Sequence, residues 1–311
     1  MERPTRNRWD LGHSASGVAS FFRVFRAERA AAAQILFPGY ADYPAKYEEL
    51  AVVLGHPGKK AREDELHLIR ELMMKRPPRE GSLNLADTLF LAAMTSILAP
   101  GRVIEVGTGT GFSSAVIAAM LQLKAGAPST PCVDTIDAKT YYRGNEGFPT
   151  GGDLPTLIPE FSSSVRVHSP RQSDFVDQIA RPNELQFCFI DGNHRHPWPL
   201  LDLLRLARVT RSGGWIALHD VALGTVVAAA ERAGKRLPFR GQFGAEWLFE
   251  NWPFGKVKSG NSGAVQLPPK KREIQPVVRT LMKLPFEIVS GDHRQFRQEI
   301  MAATRVVSTG A

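Results

Sequence analysis

The stretch Arg102-Val-Ile-Glu-Val-Gly-Thr-Gly-Thr-Gly-Phe-Ser-Ser114 decides how this chain is read. Apolar and β-favouring residues run into three glycines at alternate positions, and a helix-compatible run, Ala115 to Leu123, follows. The order is strand, tight glycine-rich turn, helix, which lets backbone approach a nucleotide-like ligand closely. The dinucleotide fingerprint G-x-G-x-x-G, counted from Gly107, requires its third glycine at 112. Position 112 is Phe, and the pattern is instead E-x-G-x-G-x-G with Glu105 just inside the strand end.

Working outward, strands and helices alternate from 101 onward, which predicts a parallel sheet with helices on both faces. Strands are expected at Arg102–Val106, Pro131–Ile136, Val165–His168, Leu185–Ile190 and Trp215–Leu218. Two weaker candidates lie within 246–258 and at Gly263–Leu267. Helices are expected at Pro199 to Val209, ending at Ser212-Gly-Gly, and near Thr225–Ala233. Residues 1–100 read as mainly helical, with runs at Val18 to Leu36, Lys59 to Lys75 and Asn84 to Leu98. Residues 270–311 read as helical and peripheral.

Glu105, Gly107, Gly109 and Gly111 resemble motif I of the class I S-adenosylmethionine-dependent methyltransferases, and 185–221 resembles their methyltransferase-24 and small-molecule O-methyltransferase subgroup. The resemblance implies a Rossmann-like, doubly wound, mostly parallel seven-stranded α/β sheet. It divides the chain into a helical N-terminal extension (1–83), a cofactor-binding domain (84–268) and a basic helical tail (269–311). S-adenosylmethionine carries an amino group and a sulfonium, which suit a carboxylate at the strand end. Glu105, Gly107, Thr108, Gly109, Gly111 and Ser113 are therefore expected at the cofactor. Function in such a sheet collects at the carboxyl ends of strands. Asp137 either accepts from the ribose hydroxyls or caps the next turn; Ser173 and Asp174 either touch the adenine edge or, for Asp174, cap a helix.

In metal-dependent relatives an acid after strand four and an acidic pair after strand five hold the ion. Asp191 and Asp220 match two of those positions, and His219 stands where the third acid would be. Two acids make a hard oxygen site for Mg²⁺, whereas a nitrogen ligand favours Mn²⁺, Fe²⁺ or Zn²⁺. Sugar-modifying relatives place a carboxylate two residues after the first ligand; here it is Asn193, which takes no proton. Imidazole suits base work at neutral pH, so His194, with His196 as alternative, is the expected base beside Asp191. Aromatics at Tyr40–Tyr47, Tyr141-Tyr142, Trp198 and Arg240 to Trp252 are candidates for the acceptor pocket.

The expected activity is methyl transfer from S-adenosylmethionine to a hydroxyl of a small molecule, a secondary metabolite or a saccharide, with or without a divalent cation. An RNA or protein methyltransferase using the tail, and a non-catalytic S-adenosylmethionine-binding protein, are the competing readings. The chain of 311 residues has a net charge of +8. The excess lies mostly in 255–311, at +6, while 101–254 is neutral, so no nucleic-acid partner is expected. No apolar run reaches the ~20 residues of a membrane span, and no leader segment is visible. Cys132 and Cys188 sit in apolar runs and read as buried free thiols of a reducing, cytoplasmic setting. The N-terminal helices are candidates for a homo-oligomer contact.

Overall fold

Among the residues described by the computed structural model (31–78, 83–125, 132–235, 241–288 and 292–309), eight strands share one sheet. They are β1 (Ala33–Gln34), β2 (Val103–Val106), β3 (Val133–Ile136), β4 (Val165–His168), β5 (Leu185–Ile190), β6 (Thr210–Leu218), β7 (Lys256–Ser259) and β8 (Ser262–Gln266). Their order across the sheet is β1-β7-β8-β6-β5-β2-β3-β4. Only the two pairings made by β8 are antiparallel. The chain leaves β2 for β3 on one side and later returns to β5 on the other, so the topological switch falls between β2 and β5. Ligand crevices open at such a switch.

The helices are α1 (Tyr43–Val53), α2 (Glu63–Lys75), α3 (Leu85–Leu98), α4 (Phe112–Ala125), α5 (Leu154–Leu157), α6 (Val176–Ile179), α7 (Trp198–Val209), α8 (Leu223–Arg232), α9 (Gly244–Asn251), α10 (Gln275–Leu281) and α11 (His293–Thr309). Two cores sandwich the sheet. Strand residues alternate between them because side-chain direction has period two: Val103, Phe187, Phe189 and Trp215 face the core of α1 to α5, while Ile104, Cys188, Ile190 and Ile216 face that of α7, α9, α10 and α11. Cys132 and Cys188 are buried free thiols.

The doubly wound class holds, with differences at its margins. The sheet has eight strands where seven were expected. The added strand lies in the expected helix Val18 to Leu36, of which 18–30 fall outside the described residues. Ala33 and Gln34 pair with Val257 and Lys258. Just beyond, Ile35 and Phe37 are buried while Leu36 is 57% exposed, an alternation of period two that the neighbouring alanines obscure. β6 begins at Thr210, directly after α7, so Ser212-Gly-Gly lies inside a strand rather than ending a helix. The stretch 246–258 divides into the end of α9 and the start of β7. α10 and α11 are not peripheral: Val277, Val278, Leu281 and Ile300 are buried in the second core.

Candidate active site

The register of the central strands assembles the site. Val106 pairs with both Ile136 and Ile190, and Ile190 with Leu218. The next residue on each strand, Gly107, Asp137, Asp191 and His219, therefore lies along one edge of the sheet. Backbone bonds seal that edge: Gly107 N donates to Ile136 O at 2.8 Å, Asp191 N to Val106 O at 2.8 Å and His219 N to Ile190 O at 3.0 Å. A cleft of about 1180 Å³ opens above it, ample for a drug-sized ligand and a second small molecule.

Two of the three motif glycines are required by protein packing. At Gly107, with φ of +103°, a Cβ would overlap the Asp191 carbonyl and stand 2.6 Å from Gly192 N. At Gly111, with φ of +95°, it would meet the Leu154 side chain at 2.7 Å. Gly109 differs: φ is +52° and the nearest atom, on the Tyr142 ring, is 3.7 Å away. Gly107, Thr108, Gly109 and Ser113 line the cleft. Glu105 does not. It lies buried beneath the turn, where the Ser113 and Ser114 hydroxyls at the start of α4 donate to its two oxygens. Burial pushes its carboxyl up to about 7, against the pull of these serines.

Asp137 lines the cleft and also braces the turn, accepting from Gly109 N at 3.1 Å and Lys139 N at 2.8 Å. Both expectations for this residue are thus compatible with its place. Ser173 lines the cleft from a buried position, donating to Asp202 and accepting from Arg205 Nη1 at 2.9 Å. Asp202, pushed up to about 6 by burial, was not singled out in the sequence. Asp174 is exposed and outside the lining.

On the other side of the switch, four side chains converge. His194 Nε2 stands 3.3 Å from Asp220 Oδ2 and 3.6 Å from Asp191 Oδ1. His219 Nδ1 stands 3.1 Å from that same Asp191 oxygen and 3.5 Å from Asp220 Oδ1. Its other nitrogen, Nε2, faces Asp87 Oδ2 at 3.3 Å. Burial alone would lower His219, but the carboxylates of Asp191, Asp87 and Asp220 outweigh it and hold the imidazolium well above its usual range. One donor atom each from Asp191, His194 and His219 lie within 4.8 Å of one another, a spacing that can hold a metal ion. Asp220 adopts φ of +59° and accepts from Asn261 Nδ2 at 2.5 Å.

His196 is elsewhere. It is buried between Trp247 and Phe286, and its Nε2–H donates to Leu281 O at 3.1 Å. Burial lowers it to about 4. Of the aromatic candidates, Tyr141, Tyr142 and Trp198 line the cleft, whereas Tyr43 and Tyr47 are buried in α1; Arg240 lies outside the described residues. Asp87 is the residue sequence reasoning passed over. The available signal was an acid in the otherwise apolar helix Leu-Ala-Asp-Thr-Leu-Phe-Leu-Ala-Ala-Met.

A mostly parallel sheet with a β2/β5 switch, a β7–β8 antiparallel closure and a glycine-rich first turn is the doubly wound architecture expected from the sequence. Residues 104–221 match the family described as a methyltransferase domain, in agreement with the class read from Glu105–Gly111. Among solved structures, the chain is similar to the O-methyltransferase TomG from Streptomyces achromogenes, involved in tomaymycin synthesis and solved with SAM. Identity is 18%, the likeness covers 72% of this chain and 98% of that one, and the TM-score is 0.43. An O-methyltransferase from Bacillus cereus, solved with SAH, is similar at 16% identity over 73% of this chain and 100% of its own, with a TM-score of 0.43. No curated protein matches. Among the described residues no helix is long and apolar enough to cross a membrane.

Proposed function

We propose that the protein transfers the methyl group of S-adenosylmethionine to a hydroxyl of a small molecule. One observation carries this reading: a single cleft joins the Gly107–Thr110 part of the turn and Asp137 to the cluster of Asp191, His194, His219 and Asp220. The donor would lie along the turn, with Asp137 toward its ribose and Ser173 toward its adenine. The acceptor would enter on the β5–β6 side, where Trp198 offers a flat apolar wall.

In the transfer, the acceptor's O–H proton passes to the pair formed by His194 and Asp220. The oxygen lone pair then forms the new O–CH₃ bond as the C–S bond breaks, leaving S-adenosylhomocysteine. His219, fixed between Asp87 and Asp191, holds Asp191 in place beside that pair. A divalent cation belongs to the same reading: Asp191, His194 and His219 would hold it, it would lower the pKa of the acceptor hydroxyl, and with His194 engaged by the ion Asp220 would take the proton. Residues 84–268 are the proposed transferring unit. Residues 1–83 would supply the contact of a homo-oligomer, and the setting would be cytoplasmic.

Calorimetric titration with S-adenosylmethionine and with NADH tests the class. Binding of the first without the second is expected, followed by label incorporation when a metabolite extract is supplied with a labelled methyl donor. A protein that leaves S-adenosylmethionine unbound does not have this function.

A further inference from the structure

Asp87 is a charged residue placed where charge is expensive. It lies in the first turn of α3 at 1% exposure, and an unpaired carboxylate there would be costly. Ser262 Oγ donates to its Oδ1 at 2.7 Å, and its Oδ2 faces His219 Nε2 at 3.3 Å. Once a divalent ion displaces the Nδ1 proton of the imidazolium, a carboxylate at Nε2 keeps the remaining proton on that nitrogen and leaves the Nδ1 lone pair directed the other way. In that direction lies Asp191 Oδ1, 3.1 Å from Nδ1, and His194 Nε2 approaches the same oxygen at 3.6 Å.

We propose that Asp87 is a positioning residue that presents His219 Nδ1 as a donor, so that Asp191, His194 and His219 bind a divalent transition ion in preference to Mg²⁺. This rests on the reading of the cleft as a transfer site and settles which class of ion that site takes. Mg²⁺ demands hard oxygen ligands in an octahedron. Two imidazoles and one carboxylate are a borderline donor set, matched to Zn²⁺, Fe²⁺, Co²⁺ or Mn²⁺, and three protein donors leave coordination positions open for an oxygen of the acceptor. Asp220, already bonded by Asn261, stays outside the three as the proton-accepting partner.

The test is a Co²⁺ titration of the full-length, chelator-treated protein, read by visible d–d absorption, with Zn²⁺ and Mg²⁺ as competitors. Zn²⁺ should erase the Co²⁺ spectrum, while Mg²⁺ at about a hundredfold excess should leave it intact. Asp87→Asn should weaken Co²⁺ binding by about 10- to 100-fold with an unchanged thermal melt, and His219→Asn, which leaves His194 as the one nitrogen donor, should weaken binding further and shift the d–d bands. Because Asp87 is buried and its variant could fail to fold, ¹⁵N NMR of His219 in the unsubstituted protein supplies a second readout: the proton should reside on Nε2 in the Zn²⁺ form. Absence of Co²⁺ absorption, displacement of Co²⁺ by equal Mg²⁺, unaltered affinity in folded Asp87→Asn, or a proton on Nδ1 would each overturn the inference. Calorimetry with S-adenosylmethionine on the same sample separates the two readings. Donor binding without Co²⁺ binding sinks only the metal, and the reverse sinks only the methyl donor.

Discussion

On the β2–β3 side of the cleft, Gly109 and the carboxylate that braces it, Asp137, are 28 positions apart, one strand–helix–strand unit. On the β5–β6 side, His219 is bonded to a carboxylate 132 positions away, on a helix that precedes the sheet's central strand. The first wall is made of backbone: glycines, amide donors and a turn. The second is made of side chains held by other side chains. A wall of backbone tolerates almost no added atoms, whereas a wall of side chains is sensitive to charge and proton position.

The sharpest way to break this contrast is at the glycines. Gly107→Ala places a methyl on the Asp191 carbonyl in a left-handed conformation, so relief requires the two walls to separate. We expect about 3–4 kcal/mol lost in chemical unfolding, together with donor binding. Gly109→Ala meets only an ordinary contact at 3.7 Å and should cost about 1–2 kcal/mol from its left-handed backbone alone. Equal effects of the two substitutions would show that the turn's tolerance is not set by the Asp191 approach.

The side-chain wall should respond in rate and not in stability. His194→Ala is expected to reduce turnover about a hundredfold or more with a smaller change in melting temperature than at His196, since its side chain is 20% exposed and that of His196 is buried. His196→Ala should do the opposite, because that ring fills a buried site between Trp247 and Phe286. Near-normal turnover in His194→Ala would remove it from the transfer.

The uneven legibility of the two walls follows from the same difference. The motif at 105–111 declares itself because a left-handed turn needs glycine within a few residues, and strand-end acids at 137, 191 and 220 follow from strand boundaries. Asp87 shows only as an acid in an apolar helix: its partner is set by how α3 packs across the sheet, which no local pattern encodes. Glu105 is an intermediate case. Its place at the strand end was readable, but the period-two alternation of β2 directs its side chain into the same core as Val103, toward the α4 serines, instead of into the cleft. Likewise β1 is too short to show its alternation beyond Ile35 and Phe37.

The position of Glu105 makes a pH prediction. Its folded carboxyl titrates near 7 instead of the usual 4.5, so the fold favours the protonated form. The associated stability is complete below 4.5, declines as pH rises and is lost by the time pH passes 7. Unfolding free energy should therefore fall by about 1–2 kcal/mol between pH 5 and 8 from this residue, after discounting the full shift. Glu105→Gln, which keeps the serine contacts in part and cannot ionise, should remove that share of the slope in denaturant titrations at the two ends of the range. An unchanged slope would mean that Glu105 is ionised in the fold.

Asn193 offers the smallest and most discriminating change. It lies on the cleft wall two residues after Asp191, and its Oδ1 accepts from Arg195 N at 3.0 Å, a turn that an aspartate reproduces. Asn193→Asp should thus fold normally, with less than about 0.5 kcal/mol of change. If His194 and Asp220 already take the proton, a third base adds nothing to the rate-determining step, and turnover should stay within about threefold at neutral pH. If Asn193→Asp instead accelerates turnover tenfold or more, and does so equally in a His194→Ala background, the imidazole is not the proton's destination. The side-chain wall would then owe its two histidines entirely to the metal.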